Sequence, residues 1–554
     1  MSWYLQQGKF FEMEAGMKSR LCFVVVVTFL FFYMAVEAGD RLPFQGDEFI
    51  VNSTTTGNQT VPSGVDIVNF TSDDPAGPAI DTDDAGNYVI VWTDEYDGDG
   101  SGIFARGFTA DGIGLFAQMQ VNVGITGVQE NPHVAVDADG DFVVTWESDP
   151  TGSNLEIFAS GFTADGSPRF AEFKVNTIIA DKDEHPRLDM MDNGDFIIAW
   201  DSGIDDQTPG TKEVHFRRFL ADSTPVDGAD VIANWWTRGN QRFPDPSFDS
   251  DGNFVITWQS GAGGTDEYQD GDVSGIFARI FDASGIAIDV SNLSGQCFDV
   301  CATAVPGCNA DELIFPTKEI CVNDYTIDSQ DMPRVARNDR GEFVITWHSA
   351  GSDGVAPPGA SRTMDDSANS VHAKRFDSDG NAQGDAWQVN SFILSEQVFP
   401  DVAIGLGGGF VISWSSLFQE VNPAVASDCA DGDIGTILSG ACDAMSEVYS
   451  EEYNADGTVR NAEFRINTGF VNPAPMTALD GIQVYPAVDV ADTGVSVTAW
   501  ATGPPPSPFP GASSDAQDGD GWGAMARNTG LVDSLLFADG FESGDLLAWS
   551  DHNP

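Results

Sequence analysis

Four stretches of this chain carry carboxylates spaced closely enough to surround a cation. Asp94-Glu95-Tyr96-Asp97-Gly98-Asp99 and Asp266-Glu267-Tyr268-Gln269-Asp270-Gly271-Asp272 are the richest, and Asp431-Gly432-Asp433 and Asp515 to Asp520 are sparser versions. Calcium takes about six to eight oxygen ligands in a forgiving geometry, which a glycine-flexed acidic loop can supply. Asp94, Asp97, Asp99, Asp266, Asp270 and Asp272 are therefore the candidate metal ligands, with calcium as the expected cofactor. A second reading stays open, because Asp and Gly are also the usual residues of a tight turn. None of the four stretches completes an EF-hand pattern with its terminal glutamate.

Other chemistry finds less support. No Gly-x-Ser-x-Gly or His-Glu-x-x-His occurs, and the six histidines stand at unrelated positions, so no nucleophilic or zinc-hydrolase machinery is assigned. No catalytic or organic-cofactor residue is named. Glycoside cleavage needs only two carboxyl groups, and 86 acidic residues neither single out such a pair nor exclude one.

The elements that must position these loops are written as a repeat. Trp92, Trp146, Trp200, Trp258, Trp347, Trp414 and Trp500 each have a glycine six residues upstream and a proline fourteen residues upstream, from Pro78 and Gly86 to Pro486 and Gly494. Each unit opens on a short extended piece after the proline, such as His133 to Val136. An Asp-Gly turn follows, then a β-branched run ending in tryptophan, such as Phe142-Val143-Val144-Thr145-Trp146. A third segment such as Ile103-Phe104-Ala105-Arg106 leads to a hydrophobic-x-Val-Asn piece such as Met119 to Asn122. The seventh unit lacks that last piece, and the missing copy stands ahead of the first unit at Phe49-Ile50-Val51-Asn52. A displaced strand makes sense if it completes the last unit and leaves no open sheet edge. The expected fold is all-β, a seven-bladed β-propeller closed by an N-terminal strand completing the last blade. Seven tryptophans at one repeat position read as packing between blades; Trp235, Trp236 and Trp522, outside the repeat, are the better aromatic binding candidates.

The pattern Asp-x-x-Gly-x-Phe-Val-Val-x-Trp, then Gly-Ile-Phe-Ala-Arg-x-Phe, then Phe-x-Val-Asn resembles a repeat of exported bacterial proteins, loosely similar to the blades of integrin-type α-subunits. The resemblance covers about residues 48 to 530. It implies an extracellular, non-catalytic, propeller-like array and brings no catalytic residues with it. Phe537 to Ser550 resembles a short segment that ends unrelated exported bacterial proteins.

Bulk properties set the surroundings. A net charge of −61 disfavours nucleic acid and anionic membranes as partners. Lys18 and Arg20 precede an apolar run from Leu21 to Val36, so residues 1–38 are expected to be a signal peptide, with Met17 as an alternative start. That run is short for a membrane span. Beyond Cys22 six cysteines remain, Cys297, Cys301, Cys308, Cys321, Cys429 and Cys442, an even number suited to disulfides in an oxidising compartment. The propeller is expected over 41–530, with insertions at about 285–328, 417–446 and 501–521, and a tail over 531–554. The functional expectation is a secreted or surface-displayed binding and adhesion scaffold, monomeric, meeting an extracellular protein or glycan. The alternative is a secreted polysaccharide-acting enzyme, hydrolase or lyase, which requires carboxylates and aromatics to converge at the central channel where a scaffold would disperse its contacts over loops.

Overall fold

In the computed structural model, the described residues run from 48 to 531, omitting 54–76, 95–99, 150–153, 179–181, 204–211, 238, 262–268, 270–272, 291–318, 327, 351–368, 393–395, 418–445, 468–481 and 504–522. They form seven antiparallel four-stranded sheets. Six sheets follow chain order from the centre outwards, the seventh takes its outer strand from the start of the described chain, and the blades pack face to face around a central channel. The chain is a seven-bladed β-propeller.

Ring closure follows the displaced strand. Phe49–Ile50 pairs with Gly523–Leu531, which continues to Val495–Gly503 and Ile482–Val490, so the last blade is built from both ends of the described chain. The backbone N–H of Val51 also reaches the carbonyl of Ala524 at 2.8 Å.

The Val-Asn signature has a physical role that spacing alone does not reveal. Asn52, Asn122, Asn176, Asn234, Asn323, Asn390 and Asn467 each accept, through Oδ1, a backbone N–H at or beside the start of the third strand, from Ala524, Ile103, Ile157, Val214, Ile276, Val371 and Val448 in turn. The outer strand is only two residues long in several blades, so this bond extends a ladder too short to hold itself.

Seven hairpin glycines, from Gly86 to Gly494, sit at φ between 76° and 86°, a conformation costly for residues with a Cβ. All seven repeat tryptophans are at most 2 % exposed. Five of them stack on third-strand rings, Phe104, Phe158, His215, His372 and Tyr449, and the burial of all seven excludes carbohydrate stacking on them. Trp258 and Trp500 donate their indole N–H to Gln241 and Gln483, three residues before the repeat proline, and Trp200 donates to Asp183.

Of the cysteines, Cys321 is described and buried beside the third strand of blade four, while Cys297, Cys301, Cys308, Cys429 and Cys442 lie outside the described residues. The expected signal peptide and the tail lie outside them too. No described helix is long and apolar enough to cross a membrane.

Candidate functional site

The proline-led inner strands present side chains to the channel in successive rings, because residues i and i+2 of a strand face the same way. The first ring is the residue before each proline: Gly77, Asn131, His185, Phe243, Met332, Phe399 and Tyr485. Ladder pairing breaks here in every blade from the second onward. The six side-chain-bearing residues adopt φ between 52° and 55°, a left-handed backbone at a bulge. Neighbouring blades compensate the strain: the N–H groups of His185, Phe243, Met332 and Tyr485 are taken by Glu147, Asp201, Gln259 and Ser415, the residues that follow the tryptophans of the preceding blades. Rings converge here, with His185 against Phe243 and Phe399 against Tyr485, both at 4.4 Å. Gly77 has no side chain for a steric reason, since a Cβ there would lie 2.4 Å from that of Tyr485.

One residue past each proline comes the second ring: Ala79, His133, Arg187, Asp245, Arg334, Asp401 and Ala487. Two residues further lies the third: Asp81, Ala135, Asp189, Ser247, Ala336, Ala403 and Asp489. A cavity of about 360 Å³ is lined by His133, Arg187, Asp245 and Asp401 of the second ring and by the third ring, including Asp81, Asp189 and Asp489. It continues into a narrower space of about 50 Å³ between the first two rings.

Most polar groups of these two rings also hold the propeller together. Asp81 accepts the N–H of Val136, Asp189 that of Phe248, Asp245 that of Val335, Asp401 that of Val488 and Asp489 that of Thr82. His133 and Ser247 do the same for Leu188 and Arg337. The inner strand of a blade is an open edge, and the next blade's backbone donors find their acceptors on the previous blade's channel side chains. Only one oxygen of each carboxylate is used in this way.

Electrostatics divide the rings. The second carries Arg187 and Arg334 beside Asp245 and Asp401, whereas the third carries three aspartates and no cation. Burial, with Asp489 hydrogen-bonded beside it, holds the Asp81 carboxyl well above the usual range. Burial pushes Asp189 up to about 7, against the amide of Phe248, and Asp401 up to about 6, against Arg334. His133 is held neutral by burial and by Arg187 and Arg334. At the channel mouth, burial and then Asp84, Asp192 and Asp339 raise Asp492 to about 6. A protonated carboxyl and an ionised one in the same water-accessible cavity are what acid–base cleavage of a glycosidic bond requires.

Of the expected metal ligands, Asp94 is described: it is buried at the end of Tyr88–Asp94, paired in register with Gly102. Asp97, Asp99, Asp266, Asp270 and Asp272 lie outside the described residues. Among the described residues no group of three or more His, Cys, Asp or Glu is placed to hold a metal ion. Trp236 is buried, Trp235 half-buried, and Trp522 lies outside the described residues. The aspartates that do converge stand one or three residues after the repeat prolines. Their alternation with apolar residues was a usable signal, hidden because it varies from blade to blade while the proline does not.

No family model matches this chain, and no curated protein is similar to it. Among solved structures, it resembles the polysaccharide lyase Uly1, at 11 % identity over 82 % of this chain and 90 % of that one, with a TM-score of 0.41. It also resembles the GH93 α-L-arabinofuranosidase of Fusarium graminearum, at 12 % identity over 72 % of this chain and 92 % of that one, TM-score 0.39. The α-L-arabinanase of Penicillium chrysogenum gives 12 % identity over 67 % of this chain and 94 % of that one, TM-score 0.37. At these identities the likeness is one of fold.

The expectation of a non-catalytic adhesion scaffold is corrected. Its requirement was a dispersed loop surface, and instead the carboxylates of the second and third rings and the aromatics of the first converge on one channel. The repeat resemblance misled because it reports the blade framework, and function belongs to sites grafted on a framework.

Proposed function

We propose that this protein is an exported enzyme that cleaves polysaccharide with channel carboxylates, taking one chain end into the cavity. A single observation carries the reading: the third ring places Asp81, Asp189 and Asp489 on a water-accessible cavity with no cation in the ring to neutralise them. Asp189, with its carboxyl near 7, is the general acid that protonates the leaving glycosidic oxygen. The Asp81–Asp489 pair supplies the carboxylate that assists attack by water, and because like charges resist ionising together, one member keeps a proton. Water adds across the C–O bond, one product receiving the hydroxyl and the other the proton. A cavity of about 360 Å³ is at the small end of ligand sites, which favours one terminal sugar over an internal stretch of polymer.

Export is supported by Lys18 and Arg20 ahead of the apolar run, and by Cys321 being disulfide-bonded.

The test is release of reducing ends from a panel of plant, algal and bacterial polysaccharides by the wild type, Asp189→Asn and Asp489→Asn. Expected is activity on at least one polymer, falling at least about 100-fold in Asp189→Asn with native tryptophan fluorescence retained. Full activity in Asp189→Asn, or no released ends from any polymer, would overturn the assignment.

A further inference from the structure

Arg187 is an arginine of the second ring without a hydrogen-bonded partner among the described residues. It lines both the cavity and the narrower space behind it, and among the described residues it makes no hydrogen bond and no ion pair. The acidic neighbours of its ring, Asp245 and Asp401, act on it only through space, and each gives one oxygen to a backbone N–H, of Val335 and Val488, at 2.8 Å. Arg334, in the same ring two blades on, donates one N–H to the carbonyl of Pro333 and points the same kind of charge at the same space.

Two guanidiniums brought near each other behind a cavity are unfavourable in an empty site. Burial and, after it, the charge of Arg334 pull Arg187 down to about 10, against Asp245 and Asp401. Desolvated donors left unpaired are costly, and a guanidinium's fork matches the two oxygens of a carboxylate. The rest of the chain opposes highly charged ligands, since −61 overall and acidic residues at the mouth repel a polyanion. A group with one negative charge on an otherwise uncharged sugar suffers that repulsion least.

We infer that Arg187 and Arg334 form an anion subsite that receives the carboxylate of a terminal uronic acid, which makes the substrate an otherwise neutral polysaccharide entered from a uronate end. The inference rests on the polysaccharide-acting reading of the same cavity and names its substrate class. Arg187 is the specificity-determining residue: its N–H groups take the sugar carboxylate and seat the ring so that the adjoining glycosidic oxygen faces the third-ring aspartates. Arg334 adds charge from the narrower space behind the cavity.

The test is binding, measured by titration calorimetry on Asp189→Asn protein so that nothing is cleaved. Galacturonate- and glucuronate-terminated oligosaccharides are compared with their galactose- and glucose-terminated neutral counterparts. Expected is binding of at least one uronate ligand at least about tenfold tighter than its neutral counterpart, with most of that preference lost when Arg187→Ala is added. Arg187→Lys, which keeps the charge and loses the fork, is expected to retain part of the preference and carries the test if the alanine variant does not fold. Equal binding of acidic and neutral ligands, or an equal loss for both in the Arg187 variants, would overturn the subsite. The two readings fail separately. Cleavage of a neutral polymer without uronate preference removes the subsite and keeps the hydrolase, while Arg187-dependent uronate binding without cleavage of any polymer does the reverse.

Discussion

Asp189 is placed where its stability contribution can be read directly from pH. Its carboxyl titrates near 3.8 in an unfolded chain and near 7 in the channel, with burial as the main cause. Between those values the folded state binds more protons than the unfolded state, so stability falls as pH rises from about 4 to about 7. Below pH 4 the penalty vanishes because the group is protonated in both states. Above 7 it is complete, and a rise of that size corresponds to about 4 kcal/mol at most. Water in the channel screens the charge and reduces the figure, so about 2–4 kcal/mol is expected. Asp189→Asn keeps a side-chain oxygen for the N–H of Phe248 and removes the titration. Its stability relative to wild type should therefore climb by about 2–4 kcal/mol between pH 4.5 and 7.5. Urea unfolding at several pH values, followed by the fluorescence of 13 tryptophans, measures this difference. A gap between the two proteins that stays constant with pH would refute the buried, proton-holding description of Asp189, and with it the general acid. Asp201 supplies a control of opposite sign: although burial opposes it, Lys212 and His185 hold its carboxyl below the usual range, so its contribution is lost as pH falls below about 4.

Two further outcomes follow from the framework. Asn52→Ala removes the acceptor for the buried N–H of Ala524 at the closing blade and should cost about 1–3 kcal/mol in urea unfolding, while an unchanged stability would mean that the ends are not locked in this way. Saturating calcium should raise the unfolding temperature relative to chelator if the Asp94–Asp99 and Asp266–Asp272 loops hold the ion, and coincident melting curves would leave those aspartates as turn-formers.

The repeat period is legible in sequence because each blade spends the same residues on the same local problems. A proline starts the inner strand, a glycine takes the positive φ of the hairpin, and a tryptophan fills the space between sheets. Even the ring closure could be read, since Phe49 to Asn52 is a fourth-strand signature standing on the wrong side of its blade. The channel could not. Asp81 and Asp489 lie 408 positions apart and meet because blades one and seven are neighbours in a closed ring. Neither the bulge before each proline nor its acceptor in the preceding blade leaves a local pattern, because the bond partner belongs to another repeat. The acidic loops drew attention as metal ligands because their carboxylates are close in sequence. Those that share a cavity are close only in space.

By itself, then, the sequence determined the number of blades, their strand order and the manner of closure, all of which depend on local propensity and a fixed period. Tertiary structure decided which side chains share the channel, which carboxyls keep a proton there, and that Arg187 has no hydrogen-bonded partner among the described residues. Those properties arise from burial and from charges contributed by different blades, and neither exists until the ring has closed.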